Sequence, residues 1–163
     1  MLRYMEFAIE DGPALRIMAT PAGLRAIDFH LDRPPEGERD PGDPLLFEIA
    51  RQLRAYFAGE LREFDLPLDV EGTPFQKRVW TELGSIPYGE TRSYLQVAAA
   101  IGAPRAVRAV GAANGANPAP IVVPCHRVIG TSGKLVGYGG GLPLKKRLLE
   151  IEGLGNTMGL FRS

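Results

Sequence analysis

Cysteine and histidine are almost missing from this sequence of 163 residues, which contains one cysteine and two histidines. A single cysteine cannot form an internal disulfide, and one cysteine with two histidines is too few for a closed structural zinc site. No apolar run is long enough to span a bilayer, and the opening residues lack the basic-then-apolar pattern of a secretory signal. We therefore expect a globular cytoplasmic protein without a metal, a cofactor or a membrane partner.

Acidic residues are missing from one long stretch. Residues 1 to 72 carry 8 Lys and Arg against 15 Asp and Glu, whereas residues 73 to 163 carry 11 against 4. No Asp or Glu lies between Glu90 and Glu150, a stretch whose cations are Arg92, Arg105, Arg108, Arg127, Lys134, Lys145, Lys146 and Arg147. Such a segment suits a polyanion, for instance nucleic acid. The alternative is that the basic half docks on the acidic half.

The first 72 residues have the pattern of a small sheet with one helix. Apolar and polar residues roughly alternate in three runs, broken by Asp11-Gly12-Pro13 and Pro21-Ala22-Gly23, which predicts an antiparallel meander. Residues 32–44, rich in Pro, Gly and charge, predict a mobile surface loop. Asp43 and Pro44 then predict a helix start, and "FDLPLDV" predicts a further strand. The helix that starts at Pro44 is expected to end at Gly59. Its apolar stripe is Leu46, Ile49, Leu53, Tyr56 and Phe57.

The second half begins with helical signals. Thr73 and Gln76 form a capping box that predicts a helix to about Leu83, and Ser93 with Gln96 repeats the pattern. The second helix is stopped by a glycine at position 102, and a third follows Pro104 as "RAVRAVGAANG". Two helices joined by such a turn fit a helix-turn-helix, which alone is weak evidence for DNA binding.

The third helix is nearly bare. Arg105 and Arg108 project from it, while its other exposed positions are small: Ala106, Ala109, Gly111, Ala112 and Ala113. A bare helix can approach DNA closely, and tight packing against a neighbouring helix is the alternative.

The one cysteine lies in "PIVVPCHRVIG". The β-branched run predicts a buried strand that ends at Pro124, which leaves Cys125 on a turn. The thiolate is the reactive form of cysteine, and we expect His126 as base, with Glu150 or Glu152 as its carboxylate, to lower the pKa of the thiol. A buried, inert cysteine is the alternative.

Several of these segments together resemble one family. "PCHRVIG", "SGKLVGYGGGLPLKKRLLEIEG", "GANPAPIVV" and "IPYGETRSY" closely resemble the O6-alkylguanine-DNA alkyltransferases, continuously from about Thr73 to Gly153. Residues 1–72 resemble that family's ribonuclease-H-like N-terminal domain. The resemblance implies an α/β (α+β) fold, with residues 73–163 as the domain that binds DNA and transfers the alkyl group. It also implies DNA repair by irreversible, single-turnover transfer from O6-alkylguanine to Cys125.

The resemblance assigns a role to each matching position. Cys125 accepts the alkyl group, His126 is the water-mediated base, Glu152 orients His126, Asn117 braces the turn, and Tyr94 helps to rotate and contact the nucleotide. Arg108 replaces the extruded base in the stack. The remaining expected contacts with DNA are Arg105, Ala106 and Ala109, and the expected base pocket is Val128, Tyr138, Gly139 and Gly140.

The implied partner is double-stranded DNA with alkylated bases, bound by a monomer through the minor groove. Cooperativity on DNA, O4-alkylthymine activity and the preferred alkyl group are left open, the last because Gly139 stands where some members have serine. The zinc site of some members cannot form here, because the first half lacks cysteine. We expect Arg127 to be structural and His30 to have no role. The alternative functions are a lesion-binding protein without activity and a cysteine hydrolase.

Overall fold

The chain has a mixed α+β fold, in agreement with the class expected from the sequence. The structure is a computed structural model that describes residues 1–130 and 137–154. It forms two compact units, residues 1–71 and 72–163. Lys134 and the last nine residues of the expected second domain lie outside the described residues.

The first unit contains the predicted antiparallel meander. Its strands are β1 (Arg3–Ala8), β2 (Ala14–Thr20) and β3 (Gly23–Asp28), with β2 between the other two. Ile17 of β2 is fully buried. The sheet therefore has one face that needs a cover.

Helix α1 (Pro44–Phe57) packs against β1 and β2. It begins as predicted, because the Asp43 carboxylate accepts a hydrogen bond from the Leu46 N–H at 3.0 Å and Pro44 occupies the first turn. Burying one Leu or Ile side chain stabilises a fold by about 1.5–3 kcal/mol, so the stripe holds the helix on the sheet. All five predicted stripe residues are buried: Leu46, Ile49, Leu53, Tyr56 and Phe57.

Two expectations for the first unit are wrong in detail. The segment 32–44 is not all loop, because β4 (Glu38–Arg39) pairs in parallel with β1 at the sheet edge. The "FDLPLDV" segment makes only an isolated bridge between Leu24 and Leu68 instead of a strand. Pro67 supplies a carbonyl to this bridge but has no N–H, so the ladder cannot continue. A Cβ at Gly23 would lie 2.5 Å from that carbonyl oxygen, which explains the glycine.

Helices α2 (Pro74–Gly84) and α3 (Tyr94–Ala100) of the second unit both begin with the predicted capping boxes. The Thr73 hydroxyl accepts from the Gln76 N–H at 3.1 Å, and the Gln76 side chain accepts from the Thr73 N–H at 2.9 Å. Ser93 and the residue three positions later repeat this arrangement at 3.0 and 2.8 Å. Each box satisfies N–H groups that a helix start otherwise leaves free.

Helix α4 (Val107–Gly115) starts later than predicted. Arg105 and Ala106 precede it, because Pro104 and the residues after it still belong to the turn from α3. Ala113 is also not part of a bare surface. It is buried, and its carbonyl accepts a hydrogen bond from Trp80 Nε1 of α2 at 2.8 Å.

A short parallel pairing joins two segments of the second unit that are far apart in sequence. Strand β5 (Arg92–Ser93) runs directly into α3, and β6 (Val128–Ile129) directly follows a single 3₁₀ turn (Cys125–Arg127). Ser93, the residue before α3, therefore lies opposite Ile129, four residues after the thiol. Helix α5 (Leu142–Ile151) packs on the 3₁₀ turn.

Candidate active site

The segment before the thiol is a braced turn and not the predicted strand. Asn117 Nδ2 donates to the Val123 carbonyl at 2.8 Å, and its Oδ1 accepts from the Ala119 N–H at 3.1 Å. Ile121 has a φ of 76°, far from the extended region. A strand is excluded because several ladder donors are missing, at Pro118, Pro120 and Pro124. The contact expected of Asn117 is therefore present, although its role stays a prediction.

Cys125 opens the 3₁₀ turn and is 5% exposed. Burial raises the pKa of its thiol to about 11, although a hydrogen bond with Asn117 and the charge of Lys145 act in the opposite direction. The expectation of a lowered pKa is thus wrong for the protein alone, because the cost of burying a thiolate exceeds the help from its neighbours. The resting group is a protonated thiol.

His126 and Glu152 meet in the interior. His126 Nε2 lies 2.7 Å from Glu152 Oε2, and both side chains are fully buried. Burial would raise the pKa of Glu152, but hydrogen bonds from His126, Arg127 and the Gly89 N–H lower it to about 2. Burial lowers the pKa of His126 despite this carboxylate. Glu152 is therefore ionised and His126 neutral, with its proton on Nε2 and Nδ1 as the basic nitrogen.

Arg127 holds the same carboxylate from a second direction. Its Nε donates to Glu152 Oε1 at 2.9 Å, one terminal nitrogen donates to Oε2 at 3.1 Å, and the other donates to the Ile86 carbonyl at 2.6 Å. The Gly89 N–H donates to Glu152 Oε1 at 3.0 Å. The structural role expected for Arg127 agrees with these contacts. As a buried side chain, Arg127 cannot belong to the basic surface that its charge suggested.

Lys145 is the site residue that sequence reasoning missed. It is fully buried, and its Nζ donates to the Val128 carbonyl at 2.7 Å. Burial lowers the pKa of this ammonium to about 8, with the charge of Cys125 opposing the shift. Its position offered a signal, because Lys145 shares helical spacing with the apolar Leu148 and Leu149 and thus the buried face of α5. Its charge alone indicates only a cation for a polyanion.

Tyr94 lies at the first position of α3, directly after β5, and is half-buried. Burial raises the pKa of its phenol, the charge of Cys125 raises it further, and a hydrogen bond from Asn114 lowers it. The phenol and the thiol are therefore close enough to affect one another.

The expected DNA-binding surface is exposed on α4 and the turn before it. Arg105, Arg108 and Ala109 are exposed, and Ala106 is partly exposed. Val110 of the same helix is fully buried, which orients the two arginines away from the core.

The four expected pocket residues occupy two segments. Val128 is fully buried directly after the 3₁₀ turn. Tyr138, Gly139 and Gly140 lead into α5, where the Gly141 N–H donates to the Tyr138 carbonyl at 2.9 Å. Their contact with a base stays a prediction.

Two kinds of feature are absent from residues 1–130 and 137–154. These residues contain no group of three or more His, Cys, Asp or Glu side chains that could hold a metal ion. They also contain no helix that is long and apolar enough to cross a membrane.

Both units match models of one family. Residues 74–154 match the 6-O-methylguanine DNA methyltransferase, DNA binding domain, and residues 3–70 match the 6-O-methylguanine DNA methyltransferase, ribonuclease-like domain.

Named relatives agree with these matches. The chain is 68% identical over 111 residues to the methylated-DNA–protein-cysteine methyltransferase of Mycobacterium tuberculosis, an alignment that covers 68% of this chain and 67% of that protein. Its identity to the constitutive protein of the same name from Bacillus subtilis is 57% over 110 residues, with 67% of each covered.

Solved structures are also similar. The crystal structure of Mycobacterium tuberculosis O6-methylguanine methyltransferase superposes with a TM-score of 0.85 at 49% identity, covering 93% of each chain. The structure of Mycobacterium tuberculosis OGT in complex with DNA superposes with a TM-score of 0.82 at 51% identity, covering 93% of this chain and 91% of that chain.

Proposed function

Because this chain belongs to the 6-O-methylguanine DNA methyltransferase family, we propose that it repairs DNA by transferring the alkyl group from guanine O6 to Cys125. The observation that carries the proposal is the 2.7 Å contact between His126 Nε2 and Glu152 Oε2, next in sequence to the chain's one thiol. A nucleophile, a base and a group that orients the base form the arrangement that nucleophilic catalysis needs.

The reaction is an in-line displacement at the alkyl carbon. The bond from Cys125 sulfur to that carbon forms while the bond from carbon to guanine O6 breaks. The thiol proton moves to His126 Nδ1, through a water molecule in our proposal. The departing guanine takes a proton from the Tyr94 phenol, and the proton held by His126 then returns through solvent to Tyr94, so the thiol proton in effect ends on guanine. Tyr94, beside the thiol, is the donor that offsets charge on the leaving base. The products are an S-alkyl cysteine and an unmodified guanine.

The raised pKa of Cys125 shapes the timing of this reaction. With a pKa of about 11, only about one thiol in several thousand is ionised near pH 7.5. The thiolate therefore forms as the proton passes to the neutral His126, when the alkylated base already shields the sulfur from water. A desolvated thiolate is a strong nucleophile, and proton transfer to a positioned base contributes about 10²–10⁴-fold to a rate.

The DNA partner in this proposal is an alkylated duplex approached through the minor groove by a monomer. Exposed Arg108 enters the base stack in place of the flipped nucleotide, and Arg105 contacts the backbone. Flipping costs a few kcal/mol, which the intercalated side chain and phosphate contacts offset. Since the substrate is DNA, a cytoplasmic location belongs to the same proposal.

The test is to incubate the protein with excess DNA that contains O6-methylguanine and to measure its intact mass. We expect one methyl group per molecule, located on Cys125 by peptide mapping, and none on a Cys125→Ser variant. A thioether resists hydrolysis, so repaired base should stop at one equivalent. A protein that binds the lesion but gains no mass would be a lesion-binding protein, and product beyond one equivalent would indicate a hydrolase. Either result overturns the proposal.

A further inference from the structure

The turn at residues 87–90 supplies a backbone donor to the buried carboxylate of the candidate site. The Gly89 N–H donates to Glu152 Oε1 at 3.0 Å. Oε1 also accepts from Arg127 Nε at 2.9 Å, while Oε2 lies 2.7 Å from His126 Nε2. A side-chain donor can change rotamer, but an N–H group inside a turn moves only with the turn. The Gly89 N–H therefore fixes the direction in which the carboxylate faces.

This turn is itself fastened to the end of α5 and to the arginine of the network. The Glu90 N–H donates to the Pro87 carbonyl at 3.1 Å and closes the turn. The Tyr88 hydroxyl donates to the Ile151 carbonyl at 3.0 Å. The guanidinium carbon of Arg127 lies 5.8 Å from the centre of the Tyr88 ring. The turn and the carboxylate that it contacts are therefore held together by more than one bond.

The position of the N–H group requires glycine. Gly89 has a φ of 80°, in the left-handed region that other residues rarely adopt. A Cβ on Gly89 would also lie 3.2 Å from the Glu152 carbonyl oxygen. Any L side chain would thus strain the turn and push it away from the end of α5. Glycine allows the close approach that brings the N–H group to the carboxylate.

The direction of the carboxylate matters for the base. His126 keeps its proton on Nε2 as long as Glu152 Oε2 accepts that proton in a hydrogen bond, and Nδ1 is then the basic nitrogen. Donors on the carboxylate also withdraw negative charge from it. Without the Gly89 N–H, the carboxylate would turn more freely and would attract a proton more strongly, so the pair of Glu152 and His126 would protonate more easily.

We propose that Gly89 is a positioning residue for alkyl transfer, whose N–H group fixes the Glu152 carboxylate against His126 and so keeps the imidazole neutral with Nδ1 as the base. The proposal rests on the function proposed above. Gly89 acts through Glu152 and needs no contact with the alkylated base. Its role is therefore visible in the pH dependence of the reaction with any substrate.

The acid side of the pH profile reports on this pair. The charged groups that act on the pair of His126 and Glu152 from the 3₁₀ turn and from α5 are Arg127 and Lys145. Glu90, in the turn itself, is exposed and pairs with Arg92 at 3.2 Å. Lys145 and Cys125 have pKa values of about 8 and about 11, so both titrate on the alkaline side. A loss of rate in acid therefore follows proton uptake by the pair.

The experiment replaces the N–H group of Gly89 with an ester oxygen, by incorporating glycolic acid at this position of the full chain. The rate of reaction with free O6-benzylguanine is measured against pH, because a free base avoids the pH dependence of DNA binding. We expect the reaction to be about tenfold slower at about pH 7.5, as for one hydrogen bond to a charged group. The acid limb of the profile should move to higher pH by about one unit.

Two controls separate positioning from a general loss of stability. Tyr88→Phe removes another bond between the same turn and α5 but keeps the Gly89 N–H, so its acid limb should stay at the wild-type pH. An ester at Gly59 tests the ester itself, because Gly59 also has a positive φ, of 76°, and donates to the Tyr56 carbonyl at 3.0 Å in the first unit. The fluorescence of Trp80 reports whether the second unit is folded in each protein.

The outcomes distinguish this inference from the proposed function. No alkyl transfer to the wild-type protein would overturn both. An acid limb that stays in place with the Gly89 ester, or one that moves equally far in Tyr88→Phe, would overturn the role of Gly89 and leave the repair function intact.

A second variant covers the case in which the ester prevents folding. Gly89→Ala keeps the N–H group but displaces it, because the new Cβ would lie 3.2 Å from the Glu152 carbonyl oxygen. Its acid limb should also move to higher pH, and an unmoved limb in folded Gly89→Ala would overturn the proposal.

Discussion

Replacing Glu152 with glutamine removes the charge on which the buried network depends. The carboxylate accepts hydrogen bonds from His126, from two nitrogens of Arg127 and from the Gly89 N–H. A glutamine carbonyl can accept some of these bonds, but its NH₂ group faces the remaining donors. Arg127, only 7% exposed, is left without a counter-charge. We expect Glu152→Gln to destabilise the second unit.

The size of the effect follows from two independent considerations. Removing one partner of a buried ion pair costs about 3–5 kcal/mol. The pKa of Glu152 falls from 4.5 to about 2 on folding, and a shift of this size contributes about 3 kcal/mol to stability. A lowered folded-state pKa means that this contribution is complete above the unfolded value of 4.5 and is lost as the pH falls toward 2. By about pH 3 less than half of it remains.

Urea unfolding followed by the fluorescence of Trp80 measures this prediction. Trp80 is the one tryptophan of the chain and is buried in the second unit, so the signal reports on the unit that contains the network. At about pH 7 we expect the free energy of unfolding of Glu152→Gln to be about 3–5 kcal/mol below that of the wild type. The difference should shrink below about pH 4, as the wild-type carboxylate begins to lose its contribution.

Glu150→Gln is the matched control, because Glu150 is an exposed carboxylate two positions earlier near the end of the same helix. Its unfolding free energy should stay within about 0.5 kcal/mol of the wild type. If the two variants unfold at the same urea concentration, the network does not stabilise the unit and the reasoning is refuted. Glu152→Gln should also transfer methyl groups more slowly than the wild type, because His126 loses the carboxylate that orients it.

Three more predictions concern other parts of the chain. Arg108→Ala should slow repair of duplex DNA at least tenfold more than reaction with free O6-benzylguanine, because flipping costs a few kcal/mol; equal losses in a rate assay would contradict its role in flipping. Lys145→Met should raise the pKa of Cys125 further and slow alkylation about tenfold or more. Lys146 is an exposed neighbour, so Lys146→Met should leave the titration of the thiol unchanged. If the thiol titrates identically in both variants, Lys145 does not affect Cys125. Gly23→Ala should destabilise the first unit by more than about 2 kcal/mol, because the new Cβ would lie 2.5 Å from a backbone carbonyl oxygen; unchanged hydrogen exchange in β2 and β3 would disprove that clash.

Helix starts were predicted well because the groups that decide them are close in sequence. Asp43, Thr73 and Ser93 each cap the backbone N–H three residues ahead. Such a contact depends on few other parts of the chain, so the pattern of residue types is enough to identify it. The three meander strands were predicted for a similar reason, since their breaks fall at turn-forming residues.

Segments rich in proline were predicted less well. The run before Cys125 has the β-branched residues of a strand, yet Asn117 closes it into a turn. Apolar pattern alone could not show this, because the outcome depends on whether a neighbouring strand can pair with a backbone that lacks N–H groups. The segment around Pro67 was wrongly predicted as a strand for the same reason, because it forms only an isolated bridge.

The sequence by itself determined the cysteine, histidine and glutamate of the candidate site, the order of the helices and the resemblance to one family, because these depend on residue identity and spacing. Only the tertiary structure decided which charges are buried and what burial does to them. Arg127 and Glu152 are 25 residues apart, and their pairing turns a cation counted for the surface into a buried partner. The pKa of Cys125 rises and that of Lys145 falls because distant segments exclude water around both groups, an effect of the folded environment that no local pattern contains.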